Sequence, residues 1–97
     1  MLVSVVRFDL RIPGTGSLKE KRHVVKTLTA SLRQKFNVSV AEVDHHDLWQ
    51  RAGIAVSAVG GEGYHLRKVM HEVEKHVERF GPVDLIDRTV HLMDPED

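Results

Sequence analysis

The sequence predicts an α+β domain of order βαββαβ, with a four-stranded antiparallel sheet and two helices on one of its faces. Three observations carry this reading. Apolar residues alternate at period two in some segments and recur at helical spacing in two others. Glycine and proline clusters fall between those segments. The 97 residues form one run without repeat or linker, so residues 1–97 are read as a single domain.

The first strand covers residues 2–12. Leu2, Val6, Phe8, Leu10 and Ile12 share one parity, and Arg7, Asp9 and Arg11 share the other. This is the pattern of a strand with one buried face. Pro13-Gly14-Thr15-Gly16 ends it. A helix follows over about 18–35, with Leu18, Val25, Leu28 and Leu32 as its core stripe. Ser17 is placed to cap it, and Glu20 stands where a capping box requires an acid. Phe36-Asn37 closes the helix, and a second strand runs from Val38 to Val43. The polar stretch Asp44-His45-His46-Asp47 reads as a connection. A third strand is expected from Leu48 to Val59, with Leu48, Ala52, Ile54, Val56 and Ala58 on one side. Trp49, Arg51, Gly53, Ala55 and Ser57 then fall on the other. A second helix over about 64–80 carries Leu66, Val69, Met70, Val73, Val77 and Phe80 inward, and Gly81-Pro82 stops it. A fourth strand covers about 84–93, before an acidic tail, Asp94-Pro95-Glu96-Asp97, expected to fray.

Composition excludes several classes of function. With no cysteine, the chain has no disulfide, no thiolate nucleophile and no cysteine zinc site. No apolar run reaches the length of a membrane span. The opening residues alternate as a strand and carry no basic leader of a secretory signal, and the absence of cysteine fits a cytoplasmic setting.

The formal net charge is zero, but the charges are unevenly placed. Through residue 35, eight basic residues face two acids, giving +6, and the remainder is −6. Lys19, Arg22, Lys26 and Arg33 fall on one flank of the first helix, with Lys21 and Lys35 beside them. Lys19, Lys21, Arg22, Lys26 and Arg33 are therefore the candidate phosphate contacts, with RNA the first candidate partner. The Gly14-Thr15-Gly16-Ser17 amides at the helix start are a further candidate for one phosphate. A solvated helix face is the plain alternative, and the stem of Lys21 lies close enough to the apolar stripe to pack.

The open face of the sheet is the other candidate surface. Arg7, Trp49 and Arg51 share its parity, as an RNA platform or as the interface of a homodimer. Pairing of Arg51 with Asp9 or Glu42 across strands is the structural alternative. A homo-oligomeric or small-ligand-binding module that uses this face is the second functional reading.

No catalytic residue, metal or cofactor is assigned, and the chain is read as non-enzymatic. Gly14-x-Gly16 lacks the further residues of a dinucleotide fingerprint or a P-loop. Adjacent histidines point apart in a strand or tight turn, so His45 and His46 do not make a shared metal site by themselves.

Ser17-Leu18-Lys19-Glu20-Lys21-Arg22, then Asn37-Val38-Ser39-Val40-Ala41-Glu42, then Trp49-Gln50-Arg51 resemble the YlxP-like family of bacterial proteins of unknown function. The resemblance covers nearly the whole chain in order and spacing. It implies a ferredoxin-like fold and a cytoplasmic bacterial setting. Members tend to be encoded beside translation-initiation and ribosome-maturation genes, which implies ribosomal RNA or the ribosome as partner by association. The family supplies no catalytic residues to carry over.

Overall fold

A computed structural model describes residues 1–96. The elements are β1 (Leu2–Arg11), α1 (Leu18–Lys35), β2 (Ser39–Asp44), β3 (Arg51–Gly60), α2 (Gly63–Arg79) and β4 (Asp84–Met93). The sheet order is β2-β3-β1-β4, and every neighbouring pair is antiparallel. This is the ferredoxin-like arrangement expected from the alternation. No described helix is long and apolar enough to cross a membrane.

The period-two pattern of β1 becomes the inner face of the sheet. Val6, Phe8 and Leu10 sit opposite Val56, Ile54 and Ala52 of β3, and all six are buried. Against them pack Val25, Leu28 and Leu32 of α1, and Leu66, Met70, Val73 and Val77 of α2. The two helices meet near their C-terminal halves. There Ser31 gives its hydroxyl proton to the Leu28 carbonyl (2.8 Å), and His76 Nε2 lies 2.8 Å from the same oxygen. Burial, and then the charge of Lys35, hold the His76 pKa below the ordinary histidine value.

The predicted caps form with one change of partner. Ser17 accepts a hydrogen bond from the Glu20 amide (3.1 Å). The Glu20 carboxylate reaches back to the amide of Gly16 (2.8 Å), one residue before the cap. The helix start is thus occupied by the chain's own acid. Of the amides in the Gly14–Ser17 turn, that of Gly16 is taken by this carboxylate and that of Thr15 by the Ile12 carbonyl.

Most boundaries differ from the sequence reading by a residue at most, as helix and strand ends do. The exception is β3, which starts at Arg51 and not at Leu48. His45 adopts a left-handed backbone (φ 62°) and turns the chain out of β2. The buried Thr15 hydroxyl then holds the carbonyl of Trp49 at 2.6 Å, beside that of Ile12 at 3.0 Å. This anchors residues 48–50 to the end of β1 instead of aligning them in the sheet. Leu48 and Trp49 are exposed and belong to neither sheet face. Asp97, the last residue of the expected acidic tail, lies outside the described residues. Upstream of it, Asp94 accepts from the Glu96 amide (2.9 Å).

Gly53 is the position where the sheet has no room for a side chain. Its register partner in β2 is Asp44, where the β2–β3 pairing shifts after Glu42. A Cβ at Gly53 would stand 2.6 Å from Asp44 Cβ and 3.0 Å from the Arg7 guanidinium. Backbone and guanidinium must then move together. Gly53→Val should lower the unfolding free energy by about 1–3 kcal/mol. A reduced urea midpoint with an unchanged m-value would show it.

Candidate functional site

The five sequence-predicted cations of α1 divide into three environments. Lys21 points inward. Its side chain is fully buried, and its ammonium lies 2.6 Å from the Glu42 carboxylate of β2. The same ammonium donates to the carbonyls of His45 (2.8 Å) and His46 (3.2 Å). This corrects the expectation that Lys21 contacts phosphate, because its donors are spent inside the molecule. Sequence reasoning missed the pair, yet a signal was present. Lys21 lies four and seven residues before Val25 and Leu28, in the middle of the apolar stripe. Glu42 shares the inward parity of Val40. Opposite charges on two inward faces point to each other.

Arg33 is tethered but exposed. Its guanidinium donates to the Val40 carbonyl (2.6 Å) on the outer side of β2, which satisfies an edge-strand acceptor and leaves the group charged. Lys19, Arg22 and Lys26 are exposed and have no carboxylate within salt-bridge distance among the described residues. These four cations form one stripe alongside the β2 edge. From Lys19 to Arg33 it extends about 21 Å at the α-helical rise.

The open-face group behaves differently. Arg7 donates through Nε (3.1 Å) and a terminal nitrogen (2.5 Å) to one oxygen of Asp44. Arg51 reaches both oxygens of Asp9 at 2.8 Å, the cross-strand pairing given as the alternative for it. His45 lies 3.8 Å from the same carboxylate. The two arginines share the open face, four positions apart along β1 in register. Trp49 does not join them, since it lies on the loop before β3; its ring is exposed. Arg7, Trp49 and Arg51 therefore do not form a row on one strand face.

The Asp44-His45-His46-Asp47 stretch is a turn whose carbonyls serve Lys21. His46 also donates Nε2–H to the Glu42 carbonyl (3.2 Å). Among the described residues, no three histidines or carboxylates converge to hold a metal ion.

Together these features define a small ferredoxin-like α+β domain with one unneutralised basic flank beside a sheet edge. Residues 3–90 match the family described as "Protein of unknown function (DUF503)", and the chain belongs to that family. It is 35% identical over 83 residues to "Uncharacterized protein YlxP" of Bacillus subtilis (strain 168), across 86% of this chain and 90% of that protein. Among solved structures, the de novo designed protein Foldit4 is similar in fold, with a TM-score of 0.53 at 9% identity over 95% of this chain and 97% of that one. SnoaB, a cofactor-independent oxygenase from Streptomyces nogalater, has a TM-score of 0.49 at 12% identity over 99% of this chain and 93% of its own.

Two outcomes follow from the ion pairs. Glu42→Gln strands the buried Lys21 ammonium and should destabilise the fold by about 3–5 kcal/mol, whereas the paired change Lys21→Met with Glu42→Leu should recover most of that. Chemical denaturation of the full double-mutant cycle measures the coupling. The second outcome concerns Asp44. The Arg7 hydrogen bond, and then its charge, hold the Asp44 carboxyl below the ordinary aspartate pKa. A lowered folded-state pKa stabilises above the unfolded value and is lost as pH falls through the folded one. NMR titration should place Asp44 below the usual aspartate midpoint, and Arg7→Gln should bring it back up.

Proposed function

We propose that this protein is a non-enzymatic, cytoplasmic RNA- or ribosome-associated domain that binds phosphates along α1. The observation that carries the reading is the stripe of Lys19, Arg22, Lys26 and Arg33, which no acid of the same molecule neutralises among the described residues. Five of the other nine surface cations are paired: Arg7 with Asp44, Arg11 with Asp84, Arg51 with Asp9, Lys75 with Glu72, and Arg88 with Glu74. Of the four without a salt bridge among the described residues, Arg67, Lys68 and Arg79 share α2 with Glu72, Glu74 and Glu78, and Lys35 ends α1 beside the Phe36 ring. The α1 stripe has no such acids beside it, apart from Glu20 at the cap.

Such a stripe reads charge and spacing and carries no base-specific information. The expected binding is sequence-tolerant and steeply salt-dependent through counterion release. Lys21 contributes indirectly by setting the rotation of the helix.

Fluorescence anisotropy with a ribosomal-RNA fragment across a salt series tests this. Lys19→Glu, Arg22→Glu and Lys26→Glu together should weaken binding at least tenfold and flatten the log–log salt slope by about 2, near 0.7–0.9 per lost phosphate contact. Arg67→Glu with Lys68→Glu on α2 should leave it unchanged. Absence of binding at low salt, or equal loss from both triple and double variants, would overturn the proposal.

A further inference from the structure

The two edges of the sheet are treated unlike each other. The β2 edge is six residues long and has α1 alongside it with Arg33 on one of its carbonyls, whereas irregularity is common to both edges, after Glu42 in β2 and at Ile86 in β4. The β4 edge is ten residues long, about 34 Å at antiparallel rise. It has no lysine or proline within the strand, the residues that usually guard an edge. Its side chains are open on both sides: Ile86, Val90, Leu92 and Met93 are each 42–48% exposed. Val90 and Leu92 stand opposite Val6 and Ser4, on the helix side of the sheet, where buried neighbours would be expected. Instead they border an open groove against Arg67, Met70 and His71 of α2.

We propose that β4 pairs antiparallel with β4 of a second copy of this chain, about a two-fold axis at Thr89, giving one continuous eight-stranded sheet. The register is set by pairing a carboxylate with an imidazole. On the open face, Asp87 and His91 are exposed and have no charged partner in their own chain among the described residues. One Asp87 oxygen accepts the Arg88 amide at 2.8 Å, which leaves the other. Its neighbour across β1, Asp9, is already neutralised by Arg51. An axis at Thr89 places Asp87 of each copy opposite His91 of the other, so the edge is complementary to itself. The same register places Val90 against the stem of Arg88. Two contacts of each kind arise from one strand, as a two-fold interface requires. Pairing also satisfies the outward-facing backbone groups of β4.

Other occupants of the edge predict different species. The β2 edge of a second copy would join chains head to tail, without closure, and produce larger assemblies. The proposal stands apart from phosphate binding by α1, because β4 and the basic stripe lie at opposite edges of the sheet.

Sedimentation equilibrium and light scattering of the full chain test the pairing. The expected species has the mass of two 11.0 kDa chains. His91→Asp sets four carboxylates at the seam and should raise the dimer Kd about tenfold or more. The swapped chain, Asp87→His with His91→Asp, restores the complementarity and should dimerise again. Circular dichroism of each variant checks that the monomer remains folded, since both positions are exposed. A monomer at high micromolar concentration overturns the proposal. So does an open-ended series of oligomers, a dimer indifferent to His91→Asp, or a swapped chain that stays as weak as the single variant.

Discussion

Burying the Lys21 ammonium under the β2–β3 turn fixes the rotation of α1 about its own axis. Each helical residue turns about 100° from the last. With Lys21 held by Glu42, His45 and His46, Arg22 must emerge at the flank, and Lys26 and Arg33 follow at spacings that return to it. The apolar stripe alone would tolerate some rolling, because burial of aliphatic side chains is non-directional. An ion pair with two carbonyl acceptors is directional, and leaving it broken in a dry interior is costly. The same contact orders the polar turn that the left-handed His45 begins. One buried charge thus links helix orientation, turn geometry and the aim of the basic surface.

The open face shows the opposite use of charge. Arg7, Asp9, Asp44 and Arg51 lie where solvent reaches them; Arg51 is matched by Asp9 of the neighbouring β1, and Arg7 reaches across β3 to Asp44 of β2. Their pairing fits side chains around Gly53, where no Cβ can stand, and around the irregular end of β2. Exposed pairs of this kind contribute little stability individually. Their effect is to neutralise that face, which leaves the α1 flank as the main uncompensated positive surface. The +6 of the first 35 residues therefore does not spread over the molecule. Arg7, Arg11 and Lys21 are cancelled locally, and what remains lies mostly on one side of one helix.

The ferredoxin-like order was legible in the sequence because its signals are local. Alternation in β1, the Ser17–Glu20 cap, the stripe of α2 and the Gly81-Pro82 stop each operate within a few residues. The start of β3 was not legible, because Thr15, more than thirty residues away, holds the Trp49 carbonyl and keeps Leu48 and Trp49 out of the sheet. Alternation continued through those residues by coincidence of type. Lys21 was hidden for a related reason. Lysine is read as surface unless a partner is known, and Glu42 becomes its partner only when β2 is placed beside α1. The basic flank was read from the sequence as a set of five. The structure keeps Lys19, Arg22, Lys26 and Arg33 exposed and assigns Lys21 to holding them there.

Strand order explains why the two edges differ. The connection from α1 enters β2 directly, so the helix lies along that edge and Arg33 can reach a β2 carbonyl. β4 is the outermost strand on the other side, beyond β1, and among the described residues no element lies along its outer edge. A βαββαβ chain with short connections therefore shields one edge with its first helix and leaves the other to its surroundings. Here the exposed edge carries β-branched and other apolar side chains, and an Asp87 carboxylate and a His91 imidazole with no salt-bridge partner among the described residues. Solvation alone calls for neither, since an edge meant to stay free is better served by lysine, proline or brevity. A strand with Val90 and Leu92 exposed on one face, and a carboxylate and an imidazole four residues apart on the other, has the chemistry of a pairing surface.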